Sequence, residues 1–266
     1  LNSRLSVSYR LYDIYNENSP LRYKAETTGL KFKTQLSPLY RLFGGVTLYG
    51  FLDPAGNFSD NTGYVMGLTY NKIKHLSMSL YFDRSVLFEN PVAFRNRISS
   101  FGPNFDLKRT IDDKYEILFS AGLDNFSDSN TRKNLSLKLN RIFSAGRFKL
   151  NTGPLYKTVR FSQKKYNGYY SPERYDSYAL QYFMAYSNVR KTLELIFNEE
   201  YGKSKEFSKA WKNYHKYQAE VQYKFKENLA ARVVYLKTNS GLDGASGFET
   251  SGYWYQSVNG YLDYRW

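Results

Sequence analysis

Apolar and polar residues alternate one for one through most of this chain. In Tyr217, Ala219, Val221, Tyr223 and Phe225 every second residue is apolar or aromatic, while Lys216, Gln218, Glu220, Gln222, Lys224 and Lys226 between them are polar or charged. A period of two is that of an extended strand with one face on an apolar medium and the other on water. Leu76, Met78, Leu80 and Phe82 alternate in the same way with Ser77, Ser79, Tyr81 and Asp83, and Leu135, Leu137 and Leu139 with Ser136, Lys138 and Asn140. The first segment sets Leu5, Val7, Tyr9 and Leu11 against Ser6, Ser8, Arg10 and Tyr12, and Phe148 and Leu150 alternate with Lys149 and Asn151. The last ten residues set Val258, Leu262, Tyr264 and Trp266 against Ser257, Asn259, Tyr261, Asp263 and Arg265.

Alternation and turn residues together predict fourteen strands, near residues 3–14, 21–36, 41–52, 62–71, 75–84, 97–110, 114–124, 131–142, 146–158, 173–188, 192–203, 211–226, 229–239 and 251–266. A missed hairpin would make sixteen. Short connections at 71–74, 144–146, 188–191 and 226–228 alternate with longer polar ones at 53–61, 85–96, 159–172, 204–210 and 240–250. Alternating turns and loops around an even number of antiparallel strands point to an all-β transmembrane barrel, with both termini on the periplasmic side. The first and last strands must then pair, because an open sheet edge in hydrocarbon costs several kcal/mol for each unsatisfied group. Two segments fit less well: 229–239 puts Val234 and Leu236 on the face of Arg232, and 97–110 contains Gly102-Pro103.

Composition narrows the picture. Mean hydropathy is −0.60 and apolar runs are only a few residues, so no segment can span a bilayer as a helix. Aromatics reach 18%, which suits interfacial girdles and a half-polar lumen. A soluble sandwich uses fewer strands, since 7 to 9 strands take about 100 residues. No cysteine is present, which excludes disulfides and Cys-based metal sites. Leu1 opens without a charged or apolar leader, and the sequence reads as a mature fragment forming one domain over 1–266.

The formal net charge is +14. Lipid-facing Lys or Arg at mid-bilayer costs about 2 to 4 kcal/mol, so the excess belongs in the lumen, loops and turns. The alternation assigns Arg10, Lys31, Lys33, Lys138, Lys149, Lys157, Lys216, Lys224, Lys226, Arg232 and Arg265 to the lumen, against Asp83, Glu116, Glu220 and Asp263. Such an excess of bases favours anionic solutes. Inward Tyr12, Tyr81, Tyr253, Tyr255 and Tyr261 offer flat apolar faces on which sugar rings can stack, whereas Trp254, Tyr264 and Trp266 suit the girdles. No catalytic residue is expected: His75 falls near a turn and His215 on the lipid-facing row. Residues 124–130 have the look of a calcium loop without its Gly and closing Glu, and read as a solvated turn. No metal, cofactor or nucleic acid is expected.

The element Gly168-Tyr169-Tyr170-Ser171-Pro172-Glu173-Arg174-Tyr175 resembles one that enters a strand in outer-membrane exopolysaccharide secretion barrels, the C-terminal barrels of the cellulose, poly-N-acetylglucosamine and Pel export proteins. Phe82-Asp83-Arg84-Ser85-Val86-Leu87 with Val92-Ala93-Phe94-Arg95, and the terminal Tyr-Leu-Asp-Tyr-Arg-Trp, are similar to that family as well, over about two-thirds of the chain. The resemblance implies a monomeric barrel exporting a polysaccharide unchanged, after a periplasmic tetratricopeptide region and beside an inner-membrane glycan synthase. The terminal aromatic is similar to the signal read by the barrel-assembly machinery. Family members known for acidic lumens export neutral or cationic glycans; this basic chain points to an anionic one. A general or anionic-oligosaccharide uptake porin is the alternative reading.

Overall fold

The computed structural model describes residues 3–16, 19–52, 56–73, 75–87, 96–165, 169, 171–239 and 255–265; the side chains of 4, 10–16, 19–23, 72–73, 255–257, 259 and 262–265 lie outside that description. Fourteen antiparallel strands form one closed barrel. They are β1 (Ser3–Asn16), β2 (Ser19–Gln35), β3 (Tyr40–Leu52), β4 (Phe58–Ile73), β5 (Leu76–Val86), β6 (Ser99–Ile111), β7 (Tyr115–Phe126), β8 (Thr131–Ala145), β9 (Phe148–Phe161), β10 (Arg174–Ser187), β11 (Leu193–Glu206), β12 (Lys212–Lys226), β13 (Leu229–Thr238) and β14 (Tyr255–Arg265). Each strand pairs with its sequence neighbours, and β1 closes on β14 from Ser6↔Arg265 to Tyr12↔Asn259. The expected fourteen strands and the expected closure are both present. Closure gives every strand a partner on both sides, the condition hydrocarbon imposes on a backbone.

Alternation decides which row faces out. Leu30, Val46, Leu48, Met66, Leu80, Leu139, Leu180, Val221 and Val233 are each 39% or more exposed, while inner-row Thr27, Asn140, Asn151, Ser177, Gln181 and Glu200 are buried. Apolar outside and polar inside is the reverse of a water-soluble domain, and only lipid covers such an outer band. Outward rings gather near the strand ends: Tyr40 with Tyr70 at 5.1 Å, Phe148 with Tyr186 at 4.9 Å, and Tyr64 with Phe101 at 6.1 Å. Of the three aromatics expected in the girdles, Tyr264 opposes outward-row Val7 and Leu229, while Trp254 and Trp266 lie outside the described residues.

Connections 36–39, 74–75, 112–114, 146–147, 188–192 and 227–228 share one end with the free ends of β1 and β14. Connections 17–18, 53–57, 87–98, 127–130, 162–173, 207–211 and 239–254 share the other. Several bounds move from their expected places. β4 begins at Phe58 and not near 62, because Phe58, Ser59 and Asp60 pair with Leu52, Phe51 and Gly50 of the neighbouring strand, whatever their own polarity. In β6 the ladder to β7 skips Gly102 and Pro103, running from Phe101↔Asn125 to Asn104↔Gly122. The mixed face of β13 is real, since Val234 is buried on the inner row with Arg232.

Candidate functional site

The inner wall of the barrel is the candidate site, and the strand register fixes its rows. Lys31, Lys33, Lys138, Lys149, Lys157, Lys216, Lys224, Arg232, Tyr81 and Tyr261 all stand on inner rows, in one unbroken register around the barrel. Arg10, Tyr12, Tyr255 and Arg265 hold inner positions of β1 and β14, although their side chains are outside the description. Tyr253 lies outside the described residues altogether. Lys226 departs from the expected row. A bulge after Lys224 sets it opposite Leu229, which itself opposes outward-row Tyr264, so Lys226, the last residue of β12, leaves the inner row.

The bases do not act as one set. At mid-barrel Glu200 is 2% exposed and receives Lys157 Nζ at 2.7 Å, with Lys138 Nζ at 3.9 Å and the Tyr214 hydroxyl donating to it. Lys157 on β9 reaches Glu200 on β11 over the intervening β10, where Ser177 opposes Lys157 and Gln181 opposes Glu200. Arg232 pairs with Glu220 at 3.4 Å and lies 4.1 Å from the centre of the Tyr261 ring. Lys108 and Arg132, inner bases that alternation alone did not single out, pair with Glu116 and, at 2.8 Å, with Asp124. Glu200 and Asp124 were missed for a plain reason: Glu199-Glu200 offers no alternation to choose between, and Asp124 sits at a strand end. Glu200→Gln would leave two ammonium groups facing a neutral amide. Breaking a buried pair from one side costs about 3–5 kcal/mol, and because Lys157 keeps 22% exposure the loss should sit at the low end, read as a lowered urea midpoint for the liposome-embedded barrel.

A second group of bases lies elsewhere. Lys33, Arg41, Lys149 and Lys224 are each within two residues of the short-turn end of their strands. Among the described residues none of the four has a carboxylate within ion-pair distance; Arg41 instead donates to Gln35 at 3.3 Å. The nearest inner-row acids at that end are Glu116, already held by Lys108, Glu194 on β11, and Asp263 at its register position on β14. Among the described residues, then, several mid-barrel bases are tied to acids, whereas Lys33, Arg41, Lys149 and Lys224 at the short-turn end are not.

The inward tyrosines whose side chains are described pack against neighbours. Tyr81 and Phe43 lie 6.0 Å apart over Gly67, where an added Cβ would come within 2.3 Å of Tyr81 Cβ and 2.6 Å of Phe43 Cζ. Arg232 covers Tyr261. Tyr214 is 1% exposed and packs on Leu155 and Ala179 opposite Gly202, where there is no side chain to exclude it. These rings fill the lumen wall and narrow it.

At the long-loop end the wall carries an apolar knot. Tyr169 stacks on Phe126 at 4.9 Å with the rings parallel, beside Phe161 and Ile98. Its hydroxyl donates to Asp128 at 2.9 Å and accepts from Asn130 Nδ2 at 3.0 Å. Asn130, 1% exposed, also donates to Gln163 O and accepts from Ser162 Oγ and Gln163 N. Ser171 accepts from Lys165 N and donates to Lys165 O. Residues 127–130 are thus not the solvated turn expected: Asp128 and Asn130 anchor a neighbouring connection. Burial pushes the Tyr169 phenol upward, so it stays a donor at every physiological pH. Phe126 and Phe161 stand on inner rows, which places this knot against the lumen mouth. Tyr169→Ala should leave the strand ring intact and release the anchor, seen in planar bilayers as added current flicker on the μs–ms timescale of loop motion.

His75 lies in a short turn, 3.5 Å from Asp113, and His215 points outward with its ring centre 4.7 Å from that of Tyr201, the two rings tilted. Neither is on an inner row.

The whole chain has the fold of bacterial outer-membrane barrels. It is similar to a bacterial polysaccharide outer membrane secretin, with a TM-score of 0.71 at 13% identity over 99% of this chain and 98% of that one. The toluene transporter TodX of Pseudomonas putida aligns at TM-score 0.52 and 12% identity, over 99% and 89% of the two chains. OmpF of Salmonella typhi aligns at 0.50 and 10%, over 99% and 96%. No family model and no curated protein matches the sequence.

Proposed function

We propose that this barrel is an outer-membrane conduit through which an anionic polysaccharide leaves the cell, entering at the end that carries the short turns and both chain termini. The observation that carries this reading is the mouth formed by Lys33, Arg41, Lys149 and Lys224, cations without carboxylate partners among the described residues. In a narrow low-dielectric opening they concentrate polyanions at the entrance. Beyond them the lining is nearly neutral, and its ion pairs offer many weak contacts in series. Conduction needs this order, attraction at entry followed by binding loose enough to release.

That end would face the periplasm, as the short turns of such barrels do. An inner-membrane glycan synthase, possessing the energy source the barrel lacks, would push the chain outward, with a periplasmic tetratricopeptide region between the two. The barrel-assembly machinery would insert it as a monomer. Likeness to a polysaccharide secretin along the full length supports export. An uptake porin for anionic oligosaccharides is the second reading, supported by the likeness to a toluene transporter.

Polymer added to one side of a planar bilayer separates the cases. Polyuronate oligomers should block the current at lower concentration from the short-turn side than neutral glucan oligomers of equal length. Equal block by both polymers would refute the anionic passenger, and stronger block from the long-loop side would favour uptake.

A further inference from the structure

The outer wall over β8 to β11 departs from the smooth apolar band. Gly153 and Gly202 are points of close strand approach, where an added Cβ would meet Leu139 O at 1.8 Å and Tyr178 O at 1.9 Å. Both glycines stand on inner rows; on the outer side of β8 to β11, Leu139, Pro154, Tyr156, Tyr178 and Leu180, with Trp211 from the connection before β12 and Gly202 itself, line a groove of about 640 Å³. Its aromatic rim is continuous, with Tyr156 and Tyr178 at 4.9 Å and Tyr178 and Trp211 at 5.5 Å.

Directly above the groove, toward the long loops, Lys133, Arg160 and Arg174 stand opposite one another on three successive outward-row strands. Lys203 lines the groove and Lys205 lies 5.9 Å from the Trp211 ring. Like charges directly opposed across strands destabilise a sheet, and within this crest only Arg174 has an acid at hand, Asp176. Asp176 is held by Arg174 at 2.7 Å and by the Tyr156 hydroxyl at 3.2 Å, Glu206 by Lys209, and Glu173 is exposed in the preceding connection. Lys133, Arg160 and Lys203 have no ion-pair partner among the described residues.

We infer that this outer face binds one phosphorylated glycolipid of the outer leaflet, an acyl chain in the groove and its phosphates on Lys133, Arg160 and Lys203. The occupant follows from two chemistries that meet here: an apolar slot open to hydrocarbon, and clustered cations at headgroup level. Charge-assisted contacts to phosphate would relieve the repulsion within the crest. The site is independent of what the lumen carries; it rests only on the long-loop end facing the outer leaflet.

Native mass spectrometry of the detergent-purified barrel tests it, with a bisphosphorylated hexa-acyl glucosamine disaccharide as probe. The wild type should retain one lipid, and K133Q/R160Q/K203Q should lower its affinity by about tenfold or more. Y178A/W211A, which empties the rim and keeps the crest, should weaken it as well. R109Q/R141Q/R190Q, three cations at the opposite end, should not. Heat-modifiable gel migration reports that each variant is folded. Undiminished retention by a folded K133Q/R160Q/K203Q barrel, or equal affinity for the dephosphorylated lipid, would overturn the assignment. Inorganic phosphate binding as tightly as the lipid would also overturn it, by showing an adventitious anion site.

Discussion

Reversing Lys33, Lys149 and Lys224 together to Glu should invert the ion preference of the pore. The triple change moves the mouth by six charge units, at bases that have no carboxylate within ion-pair distance among the described residues. At physiological ionic strength the Debye length is about 8 Å, so charges at a narrow opening still act on passing ions. Reversal potentials across a salt gradient should change sign, from anion to cation selectivity, and block by polyuronate oligomers should vanish. Reversing Lys138 or Lys157 would read differently. Each is tied to Glu200, and a new carboxylate there would disturb the fold before it reported on selectivity. If the mouth variant inserted normally and kept its anion preference, the entry role of these three bases would be lost.

The second large effect concerns assembly. Gly153→Val and Gly202→Val should each abolish the folded barrel, because the new side chain would begin 1.8 to 1.9 Å from a neighbouring backbone carbonyl. Backbone cannot rotate aside as a side chain can, so strands must separate and the ladder there must open. Gly260→Ala is the matched control. Nothing lies within 4 Å of its added Cβ, on the outward row. Heat-modifiable migration after refolding into detergent should be lost in the first two variants and kept in the third. Retention of the folded band in Gly202→Val would mean that β10 and β11 approach less closely than described.

These outcomes mark what could be read in the chain and what could not. Alternation in β5, β8 and β12 specified strand, face and membrane together, because a lipid-facing row tolerates few exceptions. Phe58–Asp60 joined β4 for a reason no local pattern carries, the hairpin partner already in place. The same holds for the lumen. Parity put Lys157 inside, but its partner Glu200 lies two strands away and follows from the shear of the closed sheet, not from spacing. So parity alone did not separate the bases tied to acids at mid-barrel from Lys33, Arg41, Lys149 and Lys224, which have no carboxylate partner among the described residues. Lys226 left the lining through a bulge that its residue types do not announce. Tyr169 stood within the element that resembled secretion barrels, yet its stacking on Phe126 depends on two connections meeting at the mouth.

The most direct test of the barrel itself uses the absence of native cysteine. Single cysteines placed from 216 to 225 along β12 in the membrane-embedded protein would be exposed to a membrane-impermeant thiol reagent. The register predicts labelling at 216, 218, 220, 222 and 224, and protection at 217, 219, 221, 223 and 225. Labelling of both rows alike, from protein that stays dispersed without detergent, would contradict a wall with lipid on one side and water on the other.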